Sequence, residues 1–157
     1  MSDTMSPPRH SSKLPSIEDQ AGFDDRSFEM KLRGVGLRPT RQRVSLGRLI
    51  FAQGQRHITA DILYDEARCA SIPVSLATVY NTLHQFTEAG LLRRVMTDCC
   101  KLYYDTNSAE HCHFLFEDQD RLLDVSWSQV TIDKTPIPQD YEVVRVDVLI
   151  RLRNKNA

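Results

Sequence analysis

The sequence predicts an α+β protein: an N-terminal winged helix-turn-helix domain followed by a small α/β dimerisation domain. Three observations predict it. Apolar residues recur at helical spacing in four stretches between Arg26 and Gly90. Two short strand-like runs, Leu92–Met96 and Lys101–Tyr104, then flank Thr97-Asp98-Cys99-Cys100, the pattern of a hairpin with a four-residue turn. Beyond Asp105 the period changes to two, as in a sheet with one buried face.

The elements follow in order. Residues 1–25 are rich in Ser, Pro and acid and poor in apolar positions, and are expected to be a disordered tail. The first helix, Arg26–Val35, carries Phe28, Leu32 and Val35 on one side, and Gly34 and Gly36 end it. Thr40 caps a second helix running to about Ala52, with Val44, Leu46, Leu49 and Ile50 inward. His57 is placed in the loop before a third helix, Ala60–Ala70, which Thr59 caps and which turns Ile62, Leu63, Ala67 and Ala70 inward. Ser75 caps the fourth, whose apolar stripe is Leu76, Val79, Leu83 and Phe86, with Gly90 just past its end.

The fourth helix carries the functional signal. At about 100° per residue the face opposite its stripe holds Ala77, Thr78, Asn81 and Gln85, with Tyr80 and His84 at the margins. That face is small, polar and nearly uncharged, whereas a merely solvated helix usually carries more Lys and Glu. Such side chains suit the major groove: Asn and Gln pair with adenine, and Ala and Thr methyls touch thymine methyl. Charge agrees with this. Residues 26–104 hold 12 Lys/Arg against 6 Asp/Glu, or +6, while residues 1–25 carry -3 and residues 105–157 carry -4, giving the net -1. Arg38, Arg41 and Arg43 are assigned to phosphates around the second helix, and Arg93, Arg94 and Lys101 to phosphates from the wing. Tyr80 and Asn81 are assigned to bases, with Thr78, Gln85 and Ala77 in support. The division is therefore 1–25 tail, 26–104 winged-helix DNA-binding domain, and 105–157 dimerisation and ligand-sensing domain.

In the last third, His113–Glu117 and Leu122–Val125 form an expected hairpin around Asp118–Arg121. Val144, Val146, Val148, Ile150 and Leu152 then alternate with mostly charged residues, predicting a long strand. So few strands make a thin core, which a second copy would complete, so a homodimer is expected, suited to palindromic double-stranded operator DNA. No apolar run reaches the ~18 residues of a membrane span, and residues 1–25 lack a signal-peptide core, so the expected location is cytoplasmic and off the membrane. Cys69, Cys99, Cys100 and Cys112 form no C-x-x-C pair, so no structural zinc site of that kind is expected.

The segments Gly36-Leu37-Arg38-Pro39-Thr40-Arg41-Gln42-Arg43, His57-Ile58-Thr59-Ala60-Asp61-Ile62-Leu63-Tyr64, Ser75-Leu76-Ala77-Thr78-Val79-Tyr80-Asn81-Thr82-Leu83 and Glu88-Ala89-Gly90-Leu91 resemble the ferric uptake regulator (Fur) family over about Arg26–Arg153. Asn81 after Tyr80, Phe116 and Gln119 in place of a C-x-x-C, and the C-terminal run Tyr141–Arg153 resemble its iron response regulator (Irr) branch. The resemblance implies a haem-responsive transcription regulator of iron and haem genes, a repressor or activator that binds its operator when iron is scarce and leaves it on binding haem, with a haem-synthesis enzyme as a partner delivering the haem. The alternative is a Fur-type co-repressor that depends on Fe²⁺ or Mn²⁺.

His57, Asp105, His111 and His113 match the family's regulatory metal positions. Imidazole and carboxylate together suit Fe²⁺, Mn²⁺ or Zn²⁺. His111 and His113, two apart, share a face if they lie on a strand. The branch has three consecutive histidines where this chain has His111-Cys112-His113. Cys112 is then either an axial haem ligand or a small buried residue. Residues 1–25 contain no Cys, so an N-terminal Cys-Pro haem motif is absent. No nucleophile–base pair, phosphate loop or H-E-x-x-H helix appears, so the chain is not expected to be an enzyme.

Overall fold

A computed structural model describes residues 23–97, 101–131 and 136–155. Most of the tail expected over 1–25 and the Cys99-Cys100 wing turn lie outside them. The chain divides into two compact units, the first ending at Ser108 and the second beginning at Ala109.

The first unit has the predicted helices with small shifts. Helix α1 spans Asp25–Gly34, α2 Arg41–Phe51, α3 Ala60–Cys69 and α4 Leu76–Glu88. Each begins at a side-chain cap: Asp24 accepts from the amides of Arg26 and Ser27, Thr40 from Arg43, Thr59 from Ile62 and Ser75 from Thr78. Asp24 and Asp25 thus start a helix rather than end a tail, and Asp25 pairs with Arg48 of α2. Gly90 adopts φ +72 just beyond α4, a conformation costly for a side chain.

The helices pack on Phe28, Leu32, Leu46, Leu49, Ile50, Ile58, Leu63, Val79, Leu83 and Phe86. Three positions expected on the inward side turn out, Val35 at 37% exposure among them. Ile62 is 43% exposed and Leu76 36%, and Thr82 joins the buried stripe of α4 instead. Phe28 lies at the centre of an aromatic group, with its ring 5.1, 5.5 and 6.0 Å from those of Phe23, Phe51 and Phe86. Gly47 leaves room for it: a Cβ there would stand 2.1 Å from Phe28 Cε1. Gly47→Ala sets about 1 kcal/mol of helix propensity against an overpacking cost of about 1–3 kcal/mol. The ring is boxed in, so the clash prevails, and we expect a net loss of about 1 kcal/mol, read as a lower urea midpoint. A raised midpoint would mean that the ring gives way.

The wing carries a third strand that the sequence pattern does not reveal. Strands β2, Arg93–Met96, and β3, Leu102–Asp105, form the expected hairpin, but β1, His57–Ile58, pairs antiparallel on the other side of β3. His57 is therefore in a strand, not a loop. Two residues are too short for a period-two signal.

In the second unit, β4 (Cys112–Phe116) pairs antiparallel with β5 (Arg121–Val125) and parallel with β6 (Leu149–Leu152). The long strand expected from Val144 is confined to these last four residues. Register explains it: Leu149 lies opposite His113 and Leu152 opposite Phe116, so residues before Val148 run past the end of β4 and, among the described residues, pair with no strand. Val144 is accordingly 91% exposed. Glu117 fastens the far end of β6 by accepting from Arg151 at 2.9 Å and Arg153 at 3.2 Å. Those bonds, Arg153's foremost, hold its carboxyl below the usual range.

Candidate functional site

Two sets of metal-capable side chains emerge, one in each unit. In the first, β-pairing sets His57 directly opposite Asp105. His57 Nε2 lies 3.8 Å from Asp105 Oδ2, and Asp105 is only 1% exposed. The other carboxylate oxygen accepts from the Asn107 amide at 2.7 Å, which orients the group. On the other edge of β3, Asp105 faces Arg93 of β2, so this pair sits at the root of the wing.

In the second unit, His111 and His113 lie on one face, as expected from their spacing, with Nε2 atoms 2.9 Å apart. Both are buried. His111 Nδ1 donates to the Ala109 carbonyl at 2.8 Å; a carbonyl can only accept, so in the neutral ring Nε2 carries the lone pair. That arrangement prepares a ligating nitrogen. Asp124 completes the set, with Oδ1 3.4 Å from His111 Nε2 and 3.8 Å from His113 Nε2. Two imidazoles and a carboxylate converging in a buried place fit a divalent first-row ion.

Asp124 was not anticipated. The expected hairpin turn, 118–121, would put His113 opposite Ser126. The observed loop is Glu117–Asp120, with Asp120 at φ +49, and this slides β5 so that Asp124 faces His113. An acid between Leu123 and Val125 in an apolar strand was the available signal.

Cys112 is not brought to the histidines. It neighbours His113 on β4 and so points to the opposite face, where it is fully buried. Burial pushes its thiol pKa up, away from the thiolate that ligates metal. It has the surroundings of a small apolar residue.

The α4 surface holds the expected reading residues. Ala77 and Asn81 are exposed, Thr78 is half-buried and Tyr80 is 45% exposed. Arg38 and Arg41 are exposed near the start of α2. Arg43 differs: it is half-buried, and its Nε and Nη2 donate to Gln85 Oε1 at 3.0 and 2.8 Å, while Nη1 donates to the Arg38 carbonyl at 2.6 Å. Among the described residues, no helix is long and apolar enough to cross a membrane.

A winged helix followed by a small mixed sheet, with imidazole–carboxylate sets in both, defines a class of nucleic-acid reader equipped for a metal ion. The chain belongs to the ferric uptake regulator family, whose model matches residues 34–152. It is similar to the ferric uptake regulation protein of Pseudomonas aeruginosa, 28% identical over 128 residues that cover 80% of this chain and 96% of that one. The like-named protein of Bordetella parapertussis is 31% identical over 85 residues, 54% of this chain and only 61% of that one. Among solved structures, the Pseudomonas aeruginosa ferric uptake regulator with manganese matches at a TM-score of 0.64 and 25% identity, covering 81% of this chain and 97% of that one. By name these relatives are regulators of ferric uptake.

Proposed function

We propose that the protein is a metal-responsive transcription regulator that binds operator DNA as a homodimer. The observation that carries this is the His111–His113–Asp124 set, already oriented for a divalent ion. The family pattern also assigns His57 and Asp105, the imidazole–carboxylate pair of the first unit, to metal regulation. When bound, an ion would supply a fixed positive centre to the residues that hold it. The Pseudomonas structure with manganese supports Mn²⁺ as the probe.

The chain's own residues do the rest. Tyr80 and Asn81 read bases from α4, Ala77 and Thr78 lie beside them, and Arg38, Arg41 and the wing cations hold phosphates. His57 and Asp105 are cross-strand partners at the wing root, so drawing them together fixes β1 on β3, and β3 carries β2. Ligand state thereby acts on the placement of the wing against α4, a two-state element. The exposed apolar run before β6, with Val143, Val144 and Val146, is the surface a second copy would cover.

The haem-responsive reading stands second. It keeps the Irr-like residues, but Cys112 lies on the wrong face to join the histidines. Fluorescence anisotropy on an AT-rich palindromic operator separates the two. We expect Mn²⁺ to tighten binding at least tenfold, a coupling of about 1.4 kcal/mol. Release by haem with no response to Mn²⁺ would reverse the order.

A further inference from the structure

We propose that Arg43 is a positioning residue for sequence reading: it fixes the Gln85 amide so that α4 presents only hydrogen-bond donors at that position. This rests on the reading that α4 binds duplex DNA.

Arginine has five N–H donors and no acceptor. Two of them converge on Gln85 Oε1 at 3.0 and 2.8 Å, and a third holds the Arg38 carbonyl at 2.6 Å. The guanidinium is thus clamped between the turn before α2 and the recognition helix. Its partners also settle which way the amide lies, because the reversed amide would set NH₂ against N–H. Gln85 lies four residues after Asn81 and seven after Thr78, on the same side of α4.

A glutamine that recognises adenine uses its oxygen and its nitrogen together. Here the oxygen is committed inside the protein, and Nε2 is what remains for a ligand. Gln85 then seeks an acceptor on a base edge, guanine O6 or N7, thymine O4 or adenine N7, and gives up the bidentate hold on adenine's donor–acceptor pair. Arg43 gives its charge to this clamp and not to a phosphate.

The test uses the full chain with saturating Mn²⁺, the operator and its single-base-pair variants, at 50–200 mM salt. Steep salt dependence in the unsubstituted protein comes first. Its absence overturns the DNA-binding reading, and this inference with it, before any variant is made. For Arg43→Met we expect an unchanged slope of log affinity against log salt, and a loss of about tenfold in discrimination at one base pair. Gln85→Glu keeps an acceptor for Arg43, so the fold is retained. It loses the Nε2 donors and should lose the same discrimination; circular dichroism of each variant checks folding. Arg43→Lys keeps the charge without the fork and should resemble Arg43→Met. A slope reduced by about 0.9 in Arg43→Met with discrimination intact would make Arg43 a phosphate contact and overturn the inference. So would Arg43→Lys or Gln85→Glu discriminating like the unsubstituted protein.

Discussion

Replacing His111 and His113 together by Ala should weaken Mn²⁺ binding by more than 100-fold and remove the metal-dependent gain in operator affinity. The estimate follows from the construction of the site. Losing a group that merely orients a ligand costs about 10–100-fold, and this change removes two ligands. The two Nε2 atoms stand 2.9 Å apart, and His111 is held by the Ala109 carbonyl, so neither ring has to turn to bind, and only the proton that His113 Nε2 donates to His111 Nε2 has to leave. Stability reports the same event. An ion at 100 times its dissociation constant stabilises by about 2.7 kcal/mol, and this thermal shift should vanish in the double variant. Asp124→Asn keeps the shape and removes the charge, so an intermediate loss is expected. His84→Ala, an exposed histidine on α4, should leave Mn²⁺ affinity unchanged. Retained affinity in the His111/His113 variant would place the ion elsewhere and sink the site.

The parts of this design that were readable in the sequence share a physical property. Helices announce themselves through repeated local spacing and capping chemistry, so Thr40, Thr59 and Ser75 marked their starts correctly. The family motif likewise lay in contiguous residues. The unreadable parts depended on partners distant in sequence. His57 joins a strand only because β3 returns beside it, and Asp124 faces His113 only because the hairpin loop begins at Glu117. The strand from Val144 was over-extended for the converse reason: alternation shows that a segment can be a strand, while its length is set by the partner. Arg43 and Gln85 were each assigned to DNA from their positions. Their mutual bond spans 42 residues and has no local signature.

Arg56→Met should be among the most destabilising single changes in the first unit, and adding Glu66→Met should recover much of the loss. Arg56 precedes His57. Its Nη2 donates to Glu66 Oε1 of α3 at 2.6 Å, with the two side chains 16% and 11% exposed. Its Nη1 reaches the Leu49 carbonyl near the end of α2 at 3.4 Å. Its backbone amide donates to Thr106 Oγ1 at 2.8 Å, and its carbonyl accepts from the Thr106 amide at 3.1 Å. One residue thus joins α2, α3 and the chain just beyond Asp105. Breaking a buried pair from one side leaves a desolvated charge, at a cost of about 3–5 kcal/mol, and these slightly exposed groups belong at the lower end. Glu66 has no second bond to fall back on, because its Oε2 has no hydrogen-bond partner. Removing both charges and filling the space with apolar groups is often near neutral. The order expected in urea denaturation with a chelator present is therefore unsubstituted protein at the top, the double variant next and Arg56→Met lowest. The chelator matters because bound metal would mask the difference. A single variant as stable as the double would show that Glu66 finds water on its own. Arg56 would then fasten the wing root through its backbone bonds to Thr106 alone, and the neighbouring His57–Asp105 pair would keep its geometry in the variant.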